Sequence, residues 1–243
     1  VNQAYKNFGL TAPQGEGWSD EELEWAKNLP GQGFSMLDDT WHTPYVMNHA
    51  LSVSGGSERI KFFGAANYYT QNGFMESTEY NKLNMRLNVT ADITKDLQLY
   101  ASIANTNTKY GSSPTEGTDA TYTKARVSFE YMPSRSPDGK WIGDGWAYGN
   151  PAAAAEGASG YRRNTTMNPE ANVSLTYKLP WVKGLSAKVS YMGSWKTQRG
   201  KDYTALQKFY YPKKSGANNH IIDVNDLSNY YVSNEGAGIS GWG

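Results

Sequence analysis

Leu83-Asn84-Met85-Arg86-Leu87-Asn88-Val89-Thr90-Ala91-Asp92-Ile93 has an apolar residue at every odd position and Asn, Arg, Thr or Asp at every even one. Successive side chains of a β-strand point to opposite faces, so this stretch is a strand with one greasy and one wet face. The next segment, Leu97-Gln98-Leu99-Tyr100-Ala101-Ser102-Ile103, repeats the pattern after only Thr94-Lys95-Asp96, which predicts an antiparallel hairpin. Upstream, Asn48 to Ser54 and Arg59 to Tyr69 meet at Gly55-Gly56-Ser57-Glu58 and predict a second one. Strands are therefore expected at about 46–55, 58–70, 79–94 and 97–109. The link from Gln71 to Thr78 is longer than the turns on either side of it.

Alternation returns further on. Ala171, Val173, Leu175, Tyr177 and Leu179 share one face, and after Pro180-Trp181-Val182-Lys183-Gly184 so do Leu185, Ala187, Val189, Tyr191 and Trp195. This is a third hairpin, within 169–199. Residues 110–168 read as a long loop with a possible helix from Ala120 to Met132 and a turn-rich, aromatic second half. Residues 1–45 read as a loop with a helix at 19–29, where Ser19-Asp20-Glu21-Glu22 forms a capping box and Pro30-Gly31 stops the helix. That helix is either a surface helix within a loop or a partner-docking element. Residues 200–243 lose the pattern and end in the Gly-rich Glu235 to Gly243, which reads as an interrupted loop.

Only 38% of the 243 residues are apolar, yet 14% are aromatic, with 18 Tyr and 8 Trp, a skew toward β-structure with rings at interfaces. Twenty-three acids balance 23 bases, which gives no electrostatic surface for nucleic acid. The absence of Cys removes disulfide and thiolate chemistry. Val1-Asn2-Gln3-Ala4-Tyr5 has neither the basic nor the apolar region of a signal peptide. No apolar run approaches the ~20 residues of a spanning helix, and a mean hydropathy of −0.68 would ordinarily mean a soluble chain. Transmembrane β-barrels are the exception, because their hydrophobicity occupies alternate positions.

Catalytic signatures are missing. His42, His49 and His220 are scattered, with no metal-binding pair and no nucleophile elbow. Gly31-Gln32-Gly33 and Gly236-Ala237-Gly238 do not join a strand to a helix, and Asp38-Asp39 and Glu21-Glu22 are adjacent pairs that fix no carboxylate separation. Asp138, Asp144 and Asn150, with Gly139, Gly143 and Gly145, do not follow the order of a calcium loop and read as turn formers. No enzyme, cofactor or metal is expected.

Two architectures fit six such strands. One is a soluble or cell-surface β-sandwich that binds carbohydrate through its loops; the other is part of a membrane barrel. Spans of roughly ten to fifteen residues exceed the usual ~5–6. Rings such as Tyr68, Tyr69, Tyr80, Tyr177, Trp181, Tyr191 and Trp195 cluster near span ends, and short turns alternate with long links. These features favour an all-β fold made of an antiparallel transmembrane barrel segment, its long extracellular loops holding short helices.

His49-Ala50-Leu51-Ser52-Val53-Ser54-Gly55-Gly56-Ser57-Glu58-Arg59-Ile60-Lys61-Phe62-Phe63, then Tyr68-Tyr69-Thr70-Gln71-Asn72-Gly73, then Tyr80-Asn81-Lys82-Leu83-Asn84-Met85-Arg86-Leu87-Asn88-Val89, resembles the barrel of SusC-like TonB-dependent transporters of the Bacteroidetes outer membrane. The resemblance is dense over 46–109 and looser to Tyr203. It implies import of large nutrients, glycans or peptides, through a barrel of about 22 strands, with TonB supplying energy through an N-terminal plug and a SusD-like lipoprotein closing the outside. No plug domain or TonB box is recognisable, so the chain is expected to be an internal piece of such a barrel. If the short turns at Gly55 to Glu58, Thr94 to Asp96 and Pro180 to Gly184 face the periplasm, the loops around residues 1–45, 71–78, 110–168 and 199–243 lie outside the cell. There Trp141, Trp146, Tyr148 and Tyr161 are candidates for stacking on a ligand, sugar rings above all; the alternative is that they pack the loops together.

Overall fold

The computed structural model describes residues 2–10, 17–29, 34–113, 118–143, 149–223, 226 and 230–233. Its main body is one antiparallel sheet of consecutive strands, β1 (Val46–Gly56), β2 (Ile60–Asn72), β3 (Glu79–Asp92), β4 (Leu97–Ser112), β5 (Gly160–Lys178) and β6 (Ser186–Ser194), with β7 (Thr197–Thr204) pairing along the first half of β5. The expected hairpins over 46–109 are present. Among the described residues no helix is long and apolar enough to cross a membrane.

β6 and β7 are one strand with a break. Glu170 pairs Ser194 and Met167 pairs Thr197, so the register runs through unbroken. Between them Trp195 donates its N–H to the Pro169 carbonyl at 3.0 Å. Proline has no N–H to return the bond, and regular pairing lapses for two residues.

Register sorts the side chains. One face carries, row by row across the strands, Ile60, Ala91, Leu99, Leu175 and Val189; then Phe62, Val89, Ala101, Val173 and Tyr191; then Val53, Gly64, Leu87, Ile103, Ala171 and Gly193; then Leu51, Ala66, Met85, Asn105 and Pro169. The opposite face carries Asn84, Arg86, Asn88 and Asp92 with their neighbours, tied strand to strand. Ser102 Oγ donates to Asn88 Oδ1 at 2.7 Å, Thr106 Oγ1 to Asn84 Oδ1 at 3.0 Å and Gln98 Nε2 to Asp92 Oδ1 at 2.8 Å. No protein layer covers the apolar face among the described residues: Leu51, Ile103 and Val189 are 75%, 63% and 73% exposed.

The strands outlast their alternation. β4 continues to Ser112 and β5 begins at Gly160, where the pattern placed the start near 169. In that extension both faces are polar, with Arg162, Arg163, Asn164 and Thr165 in succession, so no two-residue rhythm marks it. The expected loop 110–168 is therefore strand at both ends.

At the end with the long links, the remaining segments form a cap. α1 (Asn2–Asn7) comes first in the chain; the cap comprises α2 (Asp20–Lys27), α3 (Met36–Thr40), α4 (Thr118–Val127), α5 (Pro151–Ala155) and the short strands β8 (Phe209–Pro212), β9 (Lys214–Ser215), β10 (Ile221–Ile222) and β11 (Tyr230–Ser233). α2 has both halves of the expected capping box. α4 stops five residues short of the expected Met132, and α5 forms within the stretch read as turn-rich, with Asn150 as N-cap and Pro151 in its first turn. The fully buried apolar residues lie here, in clusters around Met132, Ile142 and Ile222, around Met36, Ala125 and Ala152, and around Ala153, Phe209 and Tyr211. Backbone bonds from Ser77 N to the Ala155 carbonyl at 2.7 Å and from Ala205 N to the Ser159 carbonyl at 2.8 Å fasten cap to sheet.

Candidate functional site

Two side chains organise the cap. Asn150 caps α5 by accepting from Ala153 N–H at 3.0 Å, and its amide donates to the carbonyls of Ser134 at 2.6 Å and Ile142 at 2.8 Å. A buried Asn with every bond made fixes three chain segments at once. Asp138 bonds Ser136 and Lys140 in the turn around Gly139, and the Lys140 ammonium beside it holds its carboxyl below the usual range. Asp138 and Asn150 are thus turn and cap residues, as the spacing suggested; Asp144 lies outside the described residues. Among the described residues no group of three or more His, Cys, Asp or Glu could hold a metal ion.

Glu22, from the capping box, is the second organiser. Its side chain is 0% exposed. It accepts from Ser19 N–H at 2.8 Å, from Asn218 N–H at 2.7 Å and from His220 N–H at 3.2 Å, and lies 3.2 Å from His220 Nδ1. Burial pushes the carboxyl up. The backbone N–H donors of Ser19 and Asn218, then the His220 ring and N–H, outweigh that and hold it at about 2. The turn that brings Asn218 and His220 to it needs Gly216 at φ +91°, because a Cβ there would lie 2.7 Å from the Glu22 carboxylate.

Beside this network opens a cleft of about 520 Å³ lined by Trp18, Leu29, Phe129, Glu130, Tyr131 and His220, among others. Trp18 stacks on the His220 ring at 4.4 Å, and Tyr131 meets Trp18 edge-on at 5.4 Å. The volume lies within the ~300–1,000 Å³ typical of small-molecule sites. Its lining combines the rings of Trp18, Phe129, Tyr131 and His220 with the polar residues Ser128 and Glu130. The sequence reading missed this group, because its members come from residues 18, 29, 128–131 and 220. The one local sign was Trp18 directly before the helix cap.

A second cleft, of about 440 Å³, lies where the sheet meets the cap, lined by Glu76, Glu79, Glu156, Tyr161, Arg163 and Tyr203 among others. Tyr161 therefore lies in a cleft, 5.6 Å from Tyr203. Trp141 lies elsewhere: it packs between the clusters around Ala152 and Phe209, with the Arg135 guanidinium 3.7 Å over its ring. That is the packing role weighed for it. Trp146 and Tyr148 lie outside the described residues.

No family model matches this chain, and no curated protein matches it. The sheet and the cap's clefts thus carry the functional argument.

Proposed function

We propose that this chain forms part of the wall and outer loops of a TonB-dependent outer-membrane importer of the SusC-like kind. It would take up glycans or peptides with a SusD-like lipoprotein over the cap and with TonB acting through a plug. The observation that carries the reading is the uncovered apolar face, continuous across six strands and backed by a hydrogen-bonded polar face. From Leu83 to Ile93 that face runs about 33 Å along the strand at ~3.3 Å per residue. Tilted by ~40°, that is about 25 Å, the height of a barrel's lipid-facing band.

Other features agree. Trp181 at the short-turn end is 71% exposed and Trp195 is 54% exposed, as suits interfacial rings. β1 and β6/β7 have no outer partner among the described residues, and an open edge cannot persist in hydrocarbon, so further strands are required to close the wall. The cap, with its aromatic cleft, would form the outer mouth where nutrient is first held. The sandwich reading needs a second sheet on the apolar face, and the described residues supply none.

The chain has no Cys, so single-cysteine variants give clean labels. Leu87→Cys and Val173→Cys should react with a lipid-soluble maleimide in native membranes and resist a charged one, while Asn88→Cys and Asn172→Cys should do the reverse. Protection of Leu87→Cys from both reagents would mean that protein covers that face, and the sandwich would replace the barrel.

A further inference from the structure

Neither Lys nor Arg is among the described residues that line the cleft beside Glu22, and Glu130 supplies its one carboxylate. That side chain is exposed, and among the described residues no ion pair engages it. Lys27 and Lys124 are close to lining residues in the chain, and the Lys214 ammonium lies 5.6 Å from the Tyr131 ring centroid, yet none of the three is in the lining. The walls are apolar, with Ala26 and Leu29 of α2 and its end facing the rings of Trp18, Phe129 and Tyr131.

The His220 ring adds an acceptor. Glu22 faces its Nδ1 at 3.2 Å while accepting backbone N–H bonds from Ser19, Asn218 and His220, which keep the carboxylate ionised and able only to accept. Nδ1 therefore carries a proton, and in the neutral ring Nε2 has the lone pair. No described residue bonds Nε2, and the ring lines the cleft. Trp18, stacked on the ring at 4.4 Å, and Tyr131, edge-on at 6.2 Å, hold it in place.

An anion would meet Glu130 with no cation in the lining to offset it. A neutral alkyl chain would gain the walls alone. An ammonium on an apolar stem gains more: its N–H groups donate to the carboxylate and the imidazole, its methylenes cover Ala26 and Leu29, and its charge is attracted by the rings. The Tyr131 ring already draws one ammonium, that of Lys214.

We infer that this cleft binds the side chain of a lysine presented by a peptide. The inference rests on the importer reading and narrows it, from glycans or peptides to peptides with a basic residue. An amino sugar offers the same ammonium on a hydroxylated ring, a poorer match for Ala26 and Leu29 than the four-carbon stem of lysine.

The test titrates three probes into the protein purified from membranes in detergent and follows binding by ligand-observed NMR: acetyl-Gly-Lys-Gly-amide, the same peptide with norleucine for lysine, and glucosamine. The lysyl peptide should bind about tenfold more tightly than either of the others. Glu130→Gln should reduce that ratio about threefold, and Glu24→Gln, at an exposed position of α2 outside the lining, should leave it unchanged. Equal affinity for the lysyl and norleucine peptides, or a ratio unmoved by Glu130→Gln, overturns the inference, as does tighter binding of glucosamine, which would make the cleft a sugar site. None of these touches the importer reading, which the Leu87→Cys labelling decides. Protection of Leu87→Cys from both reagents would overturn that reading and, with it, the lysyl peptide as cargo.

Discussion

The sheet and the cap place the same kinds of residue in opposite ways. In the cap, Met132, Ile142 and Ile222 are turned inward against one another and almost wholly buried. In the sheet, Leu51, Ile103 and Val189 are turned outward and largely exposed. The cap therefore has a core of its own, as a water-surrounded structure must. The sheet has a polar face held by hydrogen bonds and an apolar face that no described residue covers. The difference is the one that the proposed membrane reading requires, with hydrocarbon around the strands and water around the loops.

Truncating one residue in each region tests this most forcefully. Ile142→Ala should destabilise the cap by roughly 2–5 kcal/mol, since a fully buried side chain leaves a cavity. Ile103→Ala should cost about 1 kcal/mol or less in detergent or lipid, because mobile chains fill the space. Denaturant midpoints of the two variants give the comparison. Equal losses would mean that Ile103 is packed against protein, and the two regions would not differ.

A smaller effect is expected from acid. The Glu22 carboxyl is held at about 2 against an ordinary 4.5, so the folded cap binds its proton less readily than the unfolded chain does. The stabilisation, about 3 kcal/mol, is complete above pH 4.5 and disappears as pH falls toward 2. Hydrogen exchange at the amides of Asn218 and His220 should speed up over that window, while amides of β3 and β4 should not change. Glu22→Gln should abolish the pH dependence and leave the cap weakened at neutral pH. Equal acid sensitivity in cap and sheet would mean that the Glu22 network does not govern the cap separately.

The two regions also differed in how far they could be read from sequence. A strand with one apolar and one polar face prints that difference into every second residue, so the alternation from Leu83 to Ile93 disclosed the sheet. Past the apolar band, as at Arg162 to Thr165, both faces are wet and the rhythm stops although the strand continues. The cap has no period. Glu22 was legible as a helix-capping residue because its partner Ser19 is three positions away, but Asn218 and His220 reach it from the far end of the chain. Trp141 lies in a stretch read as loop, and its half-buried packing against the clusters of Ala152 and Phe209 is made by residues distant in sequence. The aromatic cleft escaped notice for the same reason, since Trp18, Tyr131 and His220 meet only in three dimensions.

The polar face of the sheet offers the finest discrimination. Arg162 Nε and Asp202 Oδ2 are 2.9 Å apart across β5 and β7, with side chains 46% and 51% exposed. A wet ion pair of this kind contributes about 0–1 kcal/mol, because water competes for both charges. Asp202→Asn should accordingly shift the thermal midpoint very little, and added salt should erase what shift there is. If the polar face were instead covered by another protein element, the abandoned guanidinium would be buried, at a cost of roughly 3–5 kcal/mol. A large, salt-insensitive loss in the native protein, set against a negligible one at Ile103, would mean that another protein element covers the polar face at this pair.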